Sequence, residues 1–226
     1  MTRDAIFEFF RLLAELDPAP ETELEFGNVY QLLVAVVLSA QATDAGVNKA
    51  TRALFASVKS PQEMVALGEE GLKRHIKTIG LFNSKAKNVI ALSERLVAEH
   101  DGLVPQDRDA LTALPGVGRK TANVVLNCAF GQETFAVDTH VFRVCNRTGL
   151  ARGKTPEKVE ALLEKRVPQP FRRHAHHWLI LLGRYTCKAR RPECWRCPVV
   201  EQCGFKAKEL VAPAKRQASA ASATRR

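Results

Sequence analysis

Four cysteines fall within the stretch CKARRPECWRCPVVEQC (187–203), spaced Cys187-x6-Cys194-x2-Cys197-x5-Cys203. Four thiolates packed this closely repel one another unless disulfides or a metal centre removes the charge. Disulfides belong to oxidising compartments. The N-terminus MTRDAIFEFFRLLAEL reads as a charged amphipathic helix, not as a secretory leader. Zinc ribbons bring two close Cys-x-x-Cys pairs separated by a longer insert. Here only Cys194 and Cys197 are close, so one compact loop supplying four thiolates to a [4Fe–4S] cluster fits the spacing better, with zinc as the alternative. Lys188, Arg190, Arg191 and Arg196 lie in the same loop. A metal-folded loop holds such charges in place, which suits phosphate groups; electron transfer is the competing use of the centre. Cys128 and Cys145 sit inside helix patterns and read as small buried hydrophobes.

The second chemical signal is LPGVGRKTANVV (114–125). A nucleotide-binding P-loop needs its lysine directly after the second glycine, and here Arg119 separates Gly118 from Lys120. The alternative is a hairpin between two helix patterns, DALTAL (109–114) and RKTANVVLNCAF (119–130). Glycines allow close backbone approach, and the free N–H groups of a helix start form an anion site. Gly116, Val117 and Gly118 are therefore expected to grip a DNA phosphate without reading sequence. Lys120 falls in the first turn of the second helix, with Asn123 and Asn127 on its polar face. An exposed surface lysine is the ordinary reading. A cation is poorly placed there, however, because the helix dipole is already positive, and a neutral amine is a nucleophile able to form a Schiff base. In VDTHVFRVCNRTGL (137–150), Asp138 stands at a helix N-cap. Capping alone explains it; a carboxylate facing Lys120 could also move protons or stabilise a cation.

The elements that must position these residues are helical. Ile6, Phe9, Phe10 and Leu13 repeat at helical spacing, as do Ala122, Val125, Leu126 and Ala129. Helices are also expected at 43–58, 83–99, 139–147, 156–167 and 171–186, and no alternating strand pattern competes. VYQLLVAVVLSA (29–40) is apolar nearly all round, which predicts a central buried helix, and it is too short to span a bilayer. The 226 residues carry a net charge of +10. All of that excess lies from Pro170 onward, with 13 Lys/Arg against 3 Asp/Glu, while the preceding residues hold 21 of each. This asymmetry points to a polyanion partner. The final stretch, APAKRQASAASATRR (212–226), is low-complexity and basic and is expected to be disordered.

Together these stretches resemble the endonuclease III family of bifunctional DNA glycosylase/AP lyases. The resemblance also runs through LLVAVVLSAQATD (32–44), VNKAT (47–51), IKTIGLFNSKA (76–86), AVDTHVFRVCNRT (136–148) and HHWLILLGRYTC (176–187). It implies an all-α fold of two helical domains flanking a DNA-binding cleft. Residues 22–132 would form a six-helix domain with the helix-hairpin-helix, and 1–21 plus 133–211 the cluster domain. It implies a [4Fe–4S] cluster on Cys187, Cys194, Cys197 and Cys203, with Lys120 and Asp138 as catalytic residues. Gln41 and Leu81 match positions that fill and wedge the duplex, and His140 is a candidate phosphate contact. Thr112 stands where some relatives carry an acid near the pocket. The implied partner is double-stranded DNA with oxidised pyrimidines or abasic sites, met by a monomer in the cytoplasm, at the nucleoid and away from any membrane. Two rival readings compete with this one. The adenine glycosylase relative normally lacks the lysine and carries a further C-terminal domain; a non-enzymatic DNA-binding protein would not need Lys120 with Asp138.

Overall fold

A computed structural model describes residues 1–212. Apart from residue 212, the tail expected to be disordered lies outside the described residues. Among these, the regular structure is entirely helical: α1 (Arg3–Leu16), α2 (Val29–Leu38), α3 (Asp44–Ser57), α4 (Pro61–Ile76), α5 (Phe82–Glu99), α6 (Arg108–Ala113), α7 (Arg119–Phe130), α8 (Thr139–Thr148), α9 (Pro156–Arg166) and α10 (Arg172–Tyr185). Short 3-10 turns occupy Gln169–Phe171 and Cys194–Arg196. Among the described residues no helix is long and apolar enough to cross a membrane.

Local chemistry sets most helix starts. The side chains of Thr2, Asn28, Thr43, Ser60, Asp107, Asp138 and Thr155 each accept a hydrogen bond from a first-turn amide. The α2 stretch is buried along nearly its whole length, as its all-round apolar pattern predicts. Helix α4 went unread in the sequence. It starts at a capping box, Ser60 with Glu63, and has Pro61 at its first position. Its periodicity breaks at Gly68, where φ is 71°, and that break hid it.

The apolar core falls into two clusters. The first runs from Leu24 to Ala136 and gathers α2 to α7 around Leu33, Val34, Leu54, Met64, Leu92 and Val125. The second joins α1 to α8, α9 and α10 through Phe9, Phe10, Val144, Leu163 and Leu179. The seam between them is α7. Its apolar face, with Ala122, Val125 and Leu126, belongs to the first cluster. Its polar stripe does not face water: Asn123 and Asn127 are both completely buried.

Those asparagines organise the loop that leads to α8. The Asn123 Nδ2 donates to the Phe135 carbonyl (3.0 Å), and the Thr134 hydroxyl donates to the Asn123 carbonyl (2.6 Å). The Asn127 amide reaches the carbonyls of Gln132, Thr134 and Arg173. At the head of α7, Arg119 makes a two-pronged ion pair with Glu160 of α9, both contacts at 2.9 Å. Glu160 is buried and also accepts from Asn123 (3.0 Å), with Arg108 of α6 at 3.5 Å.

Removing one partner of a buried ion pair strands the other. Glu160→Ala should cost about 2–3 kcal/mol, below the roughly 3–5 kcal/mol of a fully buried pair because Arg119 is half exposed. Urea denaturation of the two proteins checks this. A loss below about 0.5 kcal/mol, the size of a surface substitution, would mean the network holds nothing together.

Candidate active site

Lys120 and Asp138 meet at one pocket between α7, the start of α8 and α10, which is lined also by His176, Asp44 and Arg184. The two come together because each begins a helix and the loop joining those helices is tied to the α7 asparagines. Lys120 is exposed, and among the described residues its Nζ makes no hydrogen bond or ion pair. The Asp138 Oδ1 accepts the Val141 amide at 2.8 Å, so the capping reading holds. Its Oδ2 has no partner among the described residues and stays free for other chemistry.

Across the pocket, Arg184 of α10 pairs with Asp44 at the head of α3 (2.6 Å) and with Glu23 of the α1–α2 linker, which also accepts the Tyr185 hydroxyl. This tie spans both clusters. Sequence reasoning missed Asp44, Arg184 and His176, because none belongs to a spacing motif and long stretches of chain separate them from Lys120. His176 is buried, and so is its neighbour His177; their ring centroids lie 4.0 Å apart. Burial first, then His177 and Lys120, holds His176 well below the usual histidine range. Burial, followed by Arg173 and His174, pushes His177 down to about 4.

The turn between α6 and α7 needs Gly116. Its φ is 76°, and a Cβ there would lie 2.9 Å from that of Asn88. Gly118 differs: its φ is −90°, and a Cβ would meet nothing within 4 Å. Nothing inside the chain requires glycine at that position. Gly118 caps α7 without a side-chain hydrogen bond, leaving the first-turn amides open. Val117 points the other way. Its side chain is buried in the first cluster and its amide donates to the Leu114 carbonyl (3.1 Å), so it anchors the hairpin.

Gln41 and Leu81 share an uncommon backbone, with φ of 55° and 60°. Left-handed geometry costs a non-glycine residue roughly 1–2 kcal/mol. Leu81 is nevertheless 60% exposed, with no burial of its own side chain to offset that cost. Both positions hold a side chain away from the body of the fold. His140 follows the Asp138 cap by two residues in the first turn of α8, with its Nδ1 3.2 Å from the Arg143 guanidinium. Arg143 also donates to the carbonyls of Gly183 and Cys187. Thr112 is exposed, its hydroxyl donating to the Asp109 carbonyl.

Cys187, Cys194, Cys197 and Cys203 line a single cavity capped by Arg147, which donates to Cys187 Sγ at 3.4 Å. All six cysteines are free thiols. Burial pushes the Cys197 thiol up to about 11, and the neighbouring Cys203, Cys187 and Cys194 act in the same direction. In the loop Lys188 pairs with Glu193 (2.6 Å), whereas Arg190 and Arg191 are exposed and, among the described residues, carry no ion pair.

The hairpin and the all-helical frame define the class: residues 34–169 match the family profile "HhH-GPD superfamily base excision DNA repair protein". The chain is 57% identical over 205 residues to endonuclease III of Rickettsia conorii, covering 91% of this chain and 98% of that protein. It is 56% identical over 208 residues to endonuclease III of Escherichia coli K12, covering 92% and 99%. A solved structure described as a trapped endonuclease III–DNA covalent intermediate, an estranged-adenine complex, superposes with a TM-score of 0.84. Its identity is 44%, and the match covers 90% of this chain and 96% of that one. The chain belongs to the endonuclease III family, and is thus a base-excision repair enzyme that acts on DNA as a glycosylase and AP lyase.

The buried histidines give the fold a pH signature. Unfolding lets each ring return to its ordinary pKa of 6.5, so between that value and the depressed one the unfolded chain binds more protons. Stability is then complete above about pH 6.5 and falls as the pH drops toward the folded value, by about 1.4 kcal/mol per pH unit for each ring. Denaturant melts at pH 7.0 and 5.5, above the carboxylate range, should differ accordingly; identical melts would contradict the buried neutral rings.

Proposed function

We propose that this enzyme excises oxidised pyrimidines through a Schiff base on Lys120 and then cuts the strand by β-elimination. The observation that carries this reading is the convergence of an unpaired Lys120 amine and a half-free Asp138 carboxylate on one pocket. The damaged nucleotide must leave the stack, because its C1′ is unreachable within the duplex. The Lys120 nitrogen bonds to C1′ as the bond from C1′ to the base breaks, and the base departs with the bonding electron pair. Asp138 stabilises the positive charge that develops on the sugar and takes a proton from the new ammonium. The C1′–O4′ bond then breaks as the nitrogen lone pair forms the C=N bond, O4′ takes the proton held by Asp138, and the resulting protonated imine acidifies C2′–H. Loss of that proton expels the 3′ phosphate, and water releases Lys120.

The two core clusters are read as two domains flanking the DNA. Gly116 and Gly118 would admit a phosphate to the open amides of α7, and Arg190 and Arg191 would hold others. Gln41 and Leu81 would enter the gap left by the flipped nucleotide, a polar chain facing the orphan base and an apolar one filling the stack. On this reading the enzyme works as a monomer inside the cell, where its DNA substrate lies. The four cysteines suit a [4Fe–4S] cluster. All four line one cavity, and bound as thiolates they would have their negative charge offset by the cluster's iron. Such a cluster would cross-link the loop that carries the arginines.

Lys120→Gln should abolish base release and strand cleavage, by about 10³-fold or more, with duplex affinity kept. Asp138→Asn should slow base release by about 10²–10⁴-fold while sparing more of the cleavage at a preformed abasic site. Single-turnover assays on both duplexes check this; a Lys120→Gln protein that still cleaves abasic DNA would sink the assignment. Gly118→Ala separates the DNA grip from the fold. Stability should change by less than about 1 kcal/mol, while duplex affinity should fall roughly tenfold. Unchanged affinity in a fluorescence-anisotropy titration would mean the phosphate does not approach there.

A further inference from the structure

His176 is 1% exposed, yet its ring lines the pocket shared by Lys120 and Asp138. Its Nδ1 is buried with no hydrogen-bond partner. The neighbouring His177 lines the same pocket and its Nδ1 is likewise buried and unpartnered, but its Nε2 is taken up by the Cys128 thiol at 3.6 Å, whereas the His176 ring makes no hydrogen bond among the described residues. A buried polar atom left unmatched costs about 1–3 kcal/mol, and buried polar groups are almost always matched. His176 lines the pocket shared by Lys120 and Asp138, so a partner is to be sought among the pocket's contents.

We propose that His176 is a lesion-contact residue that hydrogen-bonds the polar edge of the flipped base. This rests on the reading of the pocket as the site of base removal. Burial and the adjacent Lys120 keep the ring neutral, so one nitrogen donates while the other accepts. Lys120 and Asp138 are committed to the sugar in the proposed mechanism, which leaves the base edge to another group. A pyrimidine whose C5–C6 bond has been saturated loses aromaticity and stacks poorly, so its carbonyl and ring-nitrogen edge becomes the part by which it can be held. That edge presents a donor between carbonyls in thymine-derived lesions and an acceptor in cytosine-derived ones. An imidazole that exchanges tautomers can meet either, whereas a fixed cation cannot.

The test compares two duplexes, one with 5,6-dihydrothymine and one with a preformed abasic site, which has no base to contact. His176→Phe keeps a ring and removes both nitrogens; His176→Leu is a second apolar variant should the larger ring not fit. Both should slow dihydrothymine release about 10–100-fold while cleavage at the abasic site stays within about threefold of wild type. His176→Gln, which restores a donor and an acceptor, should recover most of the loss. The ratio of the two rates within one preparation cancels any loss of folded protein. Equal slowing on both duplexes, no slowing on either, or no rescue by Gln would overturn the proposal. Failure of wild-type protein on both duplexes would instead overturn the reading of the pocket.

Discussion

One buried carboxylate holds the molecule in register. Glu160 sits on α9 among residues of the second cluster and accepts from Arg119 and Asn123 of α7, with Arg108 of α6 nearby. Both helices of the hairpin are thereby tied to the half of the fold that carries the cysteines. The pairing also fixes the rotation of α7, which decides where Lys120 faces. Asn123 carries the constraint onward: one of its amide hydrogens reaches Glu160 and the other the Phe135 carbonyl. The loop is thus pinned three residues before Asp138. The spacing of the proposed nucleophile and its carboxylate is set by buried hydrogen bonds and not by direct contact between them.

This arrangement suits charge that must change during a reaction. A lysine paired to a carboxylate would be held in its charged form. Lys120 is left unpaired, while the nearby cation, Arg184, is occupied by Asp44 and Glu23. The buried rings of His176 and His177 add polarity near the pocket without adding positive charge. Among the described residues, left-handed non-glycine backbone lies elsewhere, at Gln41, Leu81 and Asp101, outside the hydrogen-bonded seam.

Much of this was legible in the sequence where signals are local. Helix α7 begins and ends where LPGVG and the following Gly131 place it, because turn chemistry acts over a few residues. The N-cap role of Asp138 is of the same kind. What escaped was non-local. Asn123 and Asn127 form a polar stripe that periodicity assigns to a wet face, yet both are dry, since a second core packs over them. Glu160 reads as one more charge on a helix until Arg119 arrives from another element. Val117 sits between glycines in a turn and still points into the core. In each case the neighbour that decides the environment is distant in the chain.

The central claim is that the Lys120 amine forms the covalent bond to DNA. Borohydride reduction of the enzyme mixed with an abasic-site duplex converts an imine to a stable adduct, which proteolysis and mass spectrometry can map to one residue. The account predicts that the sugar remnant is found on Lys120. An adduct on the N-terminal amine or on another lysine, with Lys120 unmodified, would contradict it and leave the GVGRK turn as a grip on DNA alone.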